Sequence, residues 1–264
     1  MIGKTAMVNI KPSRSHSETA PPEMFDAGVN HRAKIGFVLL ATEQTIESDM
    51  FKLCPQGVGL HFTRASNPDS ITIDTFNAQL PDLSRAASTL LPDGSLDVIC
   101  YACTSGSIVM GEEKIFAALQ EGAPYAKPTS LITSVMAGLR ALNASKIAVA
   151  TPYHDEINRL EAIYLEENGF DVVEIKGLNL EKDSNMVRVT PDFLMEFAVS
   201  VDHPEAEALF ISCGALRSIE IIDRLEERLN KPVICSNQAM AWHCLRQSGI
   251  KDHISGYGTL LRAY

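Results

Sequence analysis

LDVICYACTSGS, residues 96–107, passes from an apolar run, Val98 to Ala102, straight into the small polar residues Cys103, Thr104, Ser105 and Gly106. A short run of strand formers cut off by turn formers, with a helical pattern beyond, reads as a buried strand ending in a polar tip. In an open α/β sheet, ligands bind beyond the carboxyl ends of the strands. Cys103 therefore falls where chemistry is done, among hydroxyls and free backbone N–H groups. The same stretch also fits a buried cysteine that only packs.

Outward from this strand the chain alternates strands with helices. Before it come IGFVLL (35–40), a strand near 58–64, and a helix over 73–90 that Pro81 interrupts or resets. Between the first two, Thr42 or Thr45 is a candidate helix cap. After it come a helix over 112–120, a short strand TSLIT (129–133) and a helix over 135–142. The pattern then restarts with strands at 146–151, 170–178, 206–212 and 232–235, separated by helices at 155–169, 191–200 and 218–229, and closes on a helix at 237–247. This alternation predicts an α/β protein of two doubly wound units with parallel sheets. Residues 1–32, with Pro12, Pro21, Pro22 and no sustained apolar period, read as an arm that is either mobile or packed on another subunit.

The 264 residues are 45% hydrophobic and 21% charged, enough for one large core or two modest ones. A formal charge of −10 argues against nucleic acid or an acidic membrane as partner, because the phosphate groups would be repelled over most of the surface. No run of about 18 apolar residues is present to cross a bilayer, and the N-terminus lacks the apolar core of a secretory signal. A cytoplasmic location is expected. Six cysteines are too sparse for a disulfide framework. Cys100 and Cys103 form a C-x-x-C, but side chains three apart on a strand point to opposite faces, and no second pair completes a metal cage. No metal is expected.

The two series of elements match each other. IGFVLLAT (35–42) corresponds to KIAVATPY (146–153), LDVICYAC (96–103) to AEALFISC (206–213), and KPTSLITSVMAG (127–138) to KPVICSNQAMAW (231–242), at offsets of 111, 110 and 104 residues. Shared strand composition explains the apolar runs; it explains less well a cysteine at the end of both third strands. Halves that face each other would bring Cys103 and Cys213 to one cleft from opposite sides, where one thiol removes a proton and the other delivers one. Thr104, Ser105, Gly106, Ser212 and Gly214 leave room for backbone N–H groups to hold a carboxylate and steady an enediolate. Such chemistry requires no cofactor. A thiol of ordinary pKa about 8.5 would need lowering to act as base at neutral pH.

On the motifs ACTSG (102–106), SCGALRS (212–218), TPY (151–153) and SNQAMAWHCLRQSGI (236–250), the chain from Lys34 to Tyr264 resembles the maleate cis-trans isomerase and arylmalonate decarboxylase group of the aspartate/glutamate racemase superfamily. The resemblance implies two pseudosymmetric domains, residues 33–137 plus 236–264 and residues 138–235, closing on a small carboxylate or amino-acid-like substrate. A homo-oligomer is expected. Decarboxylases of the group keep only the second cysteine, so the pair Cys103 and Cys213 is similar to the isomerases and racemases. The resemblance assigns substrate contacts to Thr104, Ser105, Tyr153, Asn185, Gly214 and Ala215, and, from the turn after the first strand, to Glu43 and Gln44. That turn reads Ser-Ser-Asn-Thr-Thr in the isomerases and Ala41-Thr42-Glu43-Gln44-Thr45 here. Glu43 would repel a dicarboxylate unless protonated or turned away. The ATxxT turn looks more like the branch that accompanies ectoine or hydroxyectoine breakdown.

Two rival readings stand beside the two-thiol isomerase or racemase. One is decarboxylation of a malonate-type acid with Cys213 alone as proton donor; the other is a small-molecule binding protein without turnover. Arg188 and Arg217 either orient a carboxylate or are solvated, and His243 reads as a core histidine.

Overall fold

The computed structural model of the chain describes Thr19 and residues 24–264; most of the expected arm, residues 1–18 and 20–23, lies outside the described residues. From Arg32 the chain is anchored. Its backbone N–H donates to Gly57 O at 3.0 Å, and its guanidinium grips the carboxylate of Asp252.

The first half runs β1 (Ala33–Leu40), α1 (Ile46–Leu53), β2 (Val58–Ala65), α2 (Ile73–Asn77), α3 (Leu80–Ser88), β3 (Val98–Tyr101), α4 (Thr104–Met110), α5 (Glu112–Gly122), β4 (Lys127–Ser130) and α6 (Leu131–Ala141). The second half runs β5 (Lys146–Thr151), α7 (Asp155–Glu167), β6 (Asp171–Gly177), α8 (Asp183–Met186), α9 (Pro191–Val201), β7 (Ala208–Ile211), α10 (Ile222–Leu229), β8 (Val233–Cys235), α11 (Ser236–Gln247) and α12 (Gly258–Ala263). Two parallel four-stranded sheets result, in the orders β2-β1-β3-β4 and β6-β5-β7-β8. The α/β expectation holds, and the halves share one topology.

Helices cover both faces of each sheet, so the central strands are apolar throughout: β3 and β7 are buried at every residue. Pairing of Ile35 with Val98 and of Ile147 with Ala208 sets the true offset of the first strands at 112. Pairing of Tyr101 with Ser130 and of Ile211 with Cys235 sets that of the last strands at 105. Matching apolar runs misses each by one residue, because apolar identity does not report strand register. The third strands keep the offset of 110, so Cys103 and Cys213 are equivalent.

Three local expectations change and one holds. The strand expected at TSLIT stops at Ser130, whose hydroxyl accepts the Thr133 N–H and starts α6 at Leu131. Pro81 does reset the helix, sitting in the first turn of α3. The helix expected from 218 begins at Ile222, after two turns. Neither Thr42 nor Thr45 caps α1. The Glu43 carboxylate does, accepting the N–H groups of Gln44, Thr45 and Ile46 on Oε1 at 2.9, 2.5 and 2.9 Å. An anion is worth more there than a hydroxyl, because it meets both the unpaired N–H groups and the positive end of the helix.

Candidate active site

Cys103 and Cys213 each follow the last residue of a central strand by two positions. The strand tips face one another across a cavity lined by Leu40, Glu43, Ile71, Ala102, Cys103, Thr104, Ser105, Tyr153, Asp183, Cys213, Gly214 and Ala215. Its volume is about 10 Å³, room for roughly one water. The site is closed, with Cys103 8% and Cys213 6% exposed.

The two thiols are held differently. Cys103 has extended backbone and caps α4, its sulfur accepting the Gly106 N–H at 3.3 Å, with Ser105 Oγ 3.8 Å away. Residue 106 must be glycine here: a Cβ would come within 2.4 Å of the Tyr101 hydroxyl and 3.1 Å of the sulfur. Cys213 lies at φ +94, a region costly to any residue with a Cβ. Its own N–H donates to Ser236 Oγ at 3.0 Å, and that hydroxyl lies 3.0 Å from Thr104 Oγ1. Ser236, the first residue of α11, thus ties the two tips together.

Burial pushes Cys103 up to about 12, against the Gly106 N–H, and pushes Cys213 well above the ordinary thiol value. The lowered pKa expected of a base is absent while the cavity is closed. Burial also raises Glu43 to about 7, against its three backbone donors, and raises Asp183. Burial holds Tyr153 protonated, with its side chain near both thiols.

Of the residues expected from sequence, Glu43, Cys103, Thr104, Ser105, Tyr153, Cys213, Gly214 and Ala215 line the cavity. Gln44 and Asn185 do not; both are exposed. Asp183 occupies the place expected of Asn185, because α8 turns Asp183 inward, where its Oδ2 accepts the Thr42 hydroxyl at 2.6 Å. Arg217 donates to Val189 O, and Arg188 lines the surface with it, away from the thiols. His243 is half-buried and satisfied, with Thr129, Ser134 and Gln247 at its ring nitrogens. Sequence reasoning missed Ile71, Asp183 and Ser236. Asp183 had a signal as the acid beginning the DSN tripeptide and Ser236 as the first residue of the SNQAMAWHCLRQSGI motif; Ile71 had none.

Paired α/β halves bring two buried thiols to one closed cavity, an arrangement suited to chemistry by side chains. A family model described as arylmalonate decarboxylase matches residues 53–261, and the chain belongs to that family. A maleate isomerase of Nocardia farcinica is 27% identical over 239 residues, 87% of this chain and 95% of that protein. The arylmalonate decarboxylase of Bordetella bronchiseptica is 27% identical over 228 residues, 81% and 90% of the two chains. Among solved structures, a Cys→Ser mutant of the Nocardia farcinica maleate cis-trans isomerase with a covalently bound succinylcysteine intermediate superposes with a TM-score of 0.81 at 25% identity, over 88% of this chain and 99% of that one.

Proposed function

We propose that this chain is an isomerase or racemase acting, without a cofactor, at a carbon next to a carboxylate, with Cys103 and Cys213 as its thiol pair. The observation that carries the reading is the meeting of two equivalent strand tips, each bearing a cysteine, in one closed cavity. The succinylcysteine intermediate seen in the Cys→Ser mutant of the Nocardia farcinica isomerase supports it. The lobes are residues 33–137 plus 236–264 and residues 138–235, a division supported by α11, which leaves β8 to pack on α6 and α1, although α12 returns to α10 and β8.

On a cis-enedioate, the Cys103 thiolate adds to one alkene carbon while the π pair takes the proton of Cys213 at the other. The carbons are then joined by a single bond, which rotates. Cys213 recovers the proton, the electron pair re-forms the alkene, and the carbon–sulfur bond breaks to return the Cys103 thiolate. On a saturated acid, the same pair takes the α-proton on one face and returns one on the other. The Thr104 and Ser105 hydroxyls, the Gly214–Ala215 backbone and Tyr153 hold the carboxylate in this reading; Gln44 and Asn185 have no part in it. A cytoplasmic location is consistent with six free cysteines. A role in ectoine or hydroxyectoine breakdown rests on the ATxxT turn alone.

Product analysis by NMR in deuterated water, with maleate and with α-substituted acids, tests the pair. Loss of turnover in both Cys103→Ala and Cys213→Ala is the expected result. Carbon dioxide release from a malonate that survives Cys103→Ala would instead assign decarboxylation, and binding without turnover would leave a binding protein.

A further inference from the structure

The Cys213 tip is clamped from behind at three successive residues. Ser236 Oγ accepts the Cys213 N–H at 3.0 Å, Asn237 Nδ2 donates to the Gly214 carbonyl at 2.8 Å, and Thr45 Oγ1 donates to the Ala215 carbonyl at 2.9 Å. The second hydrogen of the Asn237 amide goes to Asp49 Oδ2, also at 2.8 Å. Asn237 is fully buried and Asp49 is 3% exposed, yet neither lines the cavity. No step of the two-thiol chemistry uses either.

The Asn237 amide has one orientation open to it. Burial raises Asp49 to about 6, with the Asn237 hydrogen bond opposing, so above neutral pH it is a carboxylate, and both partners of Nδ2 can only accept. Oδ1 is left buried with no hydrogen-bond partner among the described residues, a cost to stability of the kind that functional sites retain. A Cβ on residue 214 would meet Asn237 Oδ1 at 3.1 Å and Ile46 Cδ1 at 2.8 Å, so glycine is what lets the amide come this close. The Gly214–Ala215 peptide is planar and trans. Fixing its carbonyl toward Asn237 therefore turns its N–H the opposite way, to the cavity that both residues line.

We propose that Asn237, oriented by Asp49, is a positioning residue: its hold on the Gly214 carbonyl aims the Ala215 N–H at Cys213 Sγ, where that N–H stabilises the thiolate left when Cys213 gives its proton to the substrate carbon. Burial and the Asp183 charge raise the Cys213 thiol; the Tyr153 hydroxyl and the Ala215 N–H oppose them, so that N–H is within reach of the sulfur. Without the hold, the peptide next to a residue strained at φ +94 is free to turn. The inference rests on the two-thiol reading for the use of this thiolate and adds the residues that prepare it.

Site-resolved iodoacetamide labelling at about pH 9 reads the thiolate without a substrate. Asn237→Ala should slow alkylation of Cys213 about tenfold or more, the loss expected of a hydrogen bond to a charged group, and leave Cys103 within about twofold of the parent. Asp49→Ala, on a helix that tolerates alanine, should slow Cys213 about threefold or more, while Asp49→Asn, whose amide oxygen still accepts from Asn237, should restore the parent rate. A residue that only braces the fold gives the opposite sign, because its loss loosens the cavity and both thiols label faster. Faster or unchanged labelling of Cys213 in either alanine variant, equal slowing of both thiols, or an Asp49→Asn rate no better than that of Asp49→Ala overturns the positioning role. The Asp49 pair decides the matter if Asn237→Ala does not fold. The two readings fail separately. Turnover that survives both Cys→Ala changes would sink the thiol pair and leave the labelling result standing; turnover that needs both thiols, with Cys213 labelling indifferent to residues 237 and 49, would do the reverse.

Discussion

Ser236 Oγ accepts the backbone N–H of Cys213 at 3.0 Å. The same hydroxyl lies 3.0 Å from Thr104 Oγ1, next to Cys103, so one fully buried serine fixes both cysteine-bearing tips. Ser236→Ala leaves the Cys213 N–H buried without a partner, at a cost of about 1–3 kcal/mol. The expected outcome is a lower denaturation midpoint with an unchanged slope, together with a fall in kcat larger than any change in KM. A variant as stable and as active as the parent would show that the tips hold themselves.

Cys213 itself is strained, at φ +94. Cys213→Gly and Cys213→Ala both remove the thiol, but only glycine adopts that backbone without a Cβ penalty. The glycine variant should be the more stable of the two by about 1 kcal/mol, while both are inactive. Denaturant titration of the pair checks it. An alanine variant that equals or exceeds the glycine one would mean that the turn relaxes once the sulfur is gone.

Glu161 on α7 is fully buried and neither of its oxygens is hydrogen bonded; burial raises it to about 7, with Ser212 opposing weakly. A carboxyl whose pKa is raised on folding binds its proton more tightly in the native state. Its contribution is complete below the unfolded value, about 4.5, and is lost as pH rises through about 7. Glu161→Gln, which cannot ionise, should therefore melt close to the parent at pH 5 and several degrees above it at pH 8. Equal melting temperatures at pH 8 would contradict the sign.

Both site thiols are raised by burial, Cys103 to about 12. Iodoacetamide should label them about a hundredfold or more slowly than a free thiol at pH 7.5, with the rate still climbing at pH 9. Site-resolved mass spectrometry separates them from Cys54, which is half-buried. A plateau near pH 8 at Cys103 would place a thiolate in the resting enzyme.

The fold was legible because parallel strands covered on both faces leave continuous apolar runs, and because the duplication repeats those runs. What was not legible depends on contacts distant in sequence. Nothing local to Thr42 shows that its hydroxyl is committed to Asp183, 141 residues away. The one-residue errors in matching the halves have the same origin, since register is set by neighbouring strands. At the site, Asp183 and Asn185 share a single turn of helix; burial, which chooses between them, is a property of the assembled lobes.

The closed cavity, with room for roughly one water, also sets what an isotope experiment can see. Hydrogen taken from a substrate there has almost no solvent to mix with until the lobes part. Because the product takes its new hydrogen from the opposite thiol, product of a saturated acid formed in deuterated water should carry deuterium while recovered substrate keeps its protium, and deuterium appearing in the substrate would measure how often the enzyme opens before the chemistry reverses.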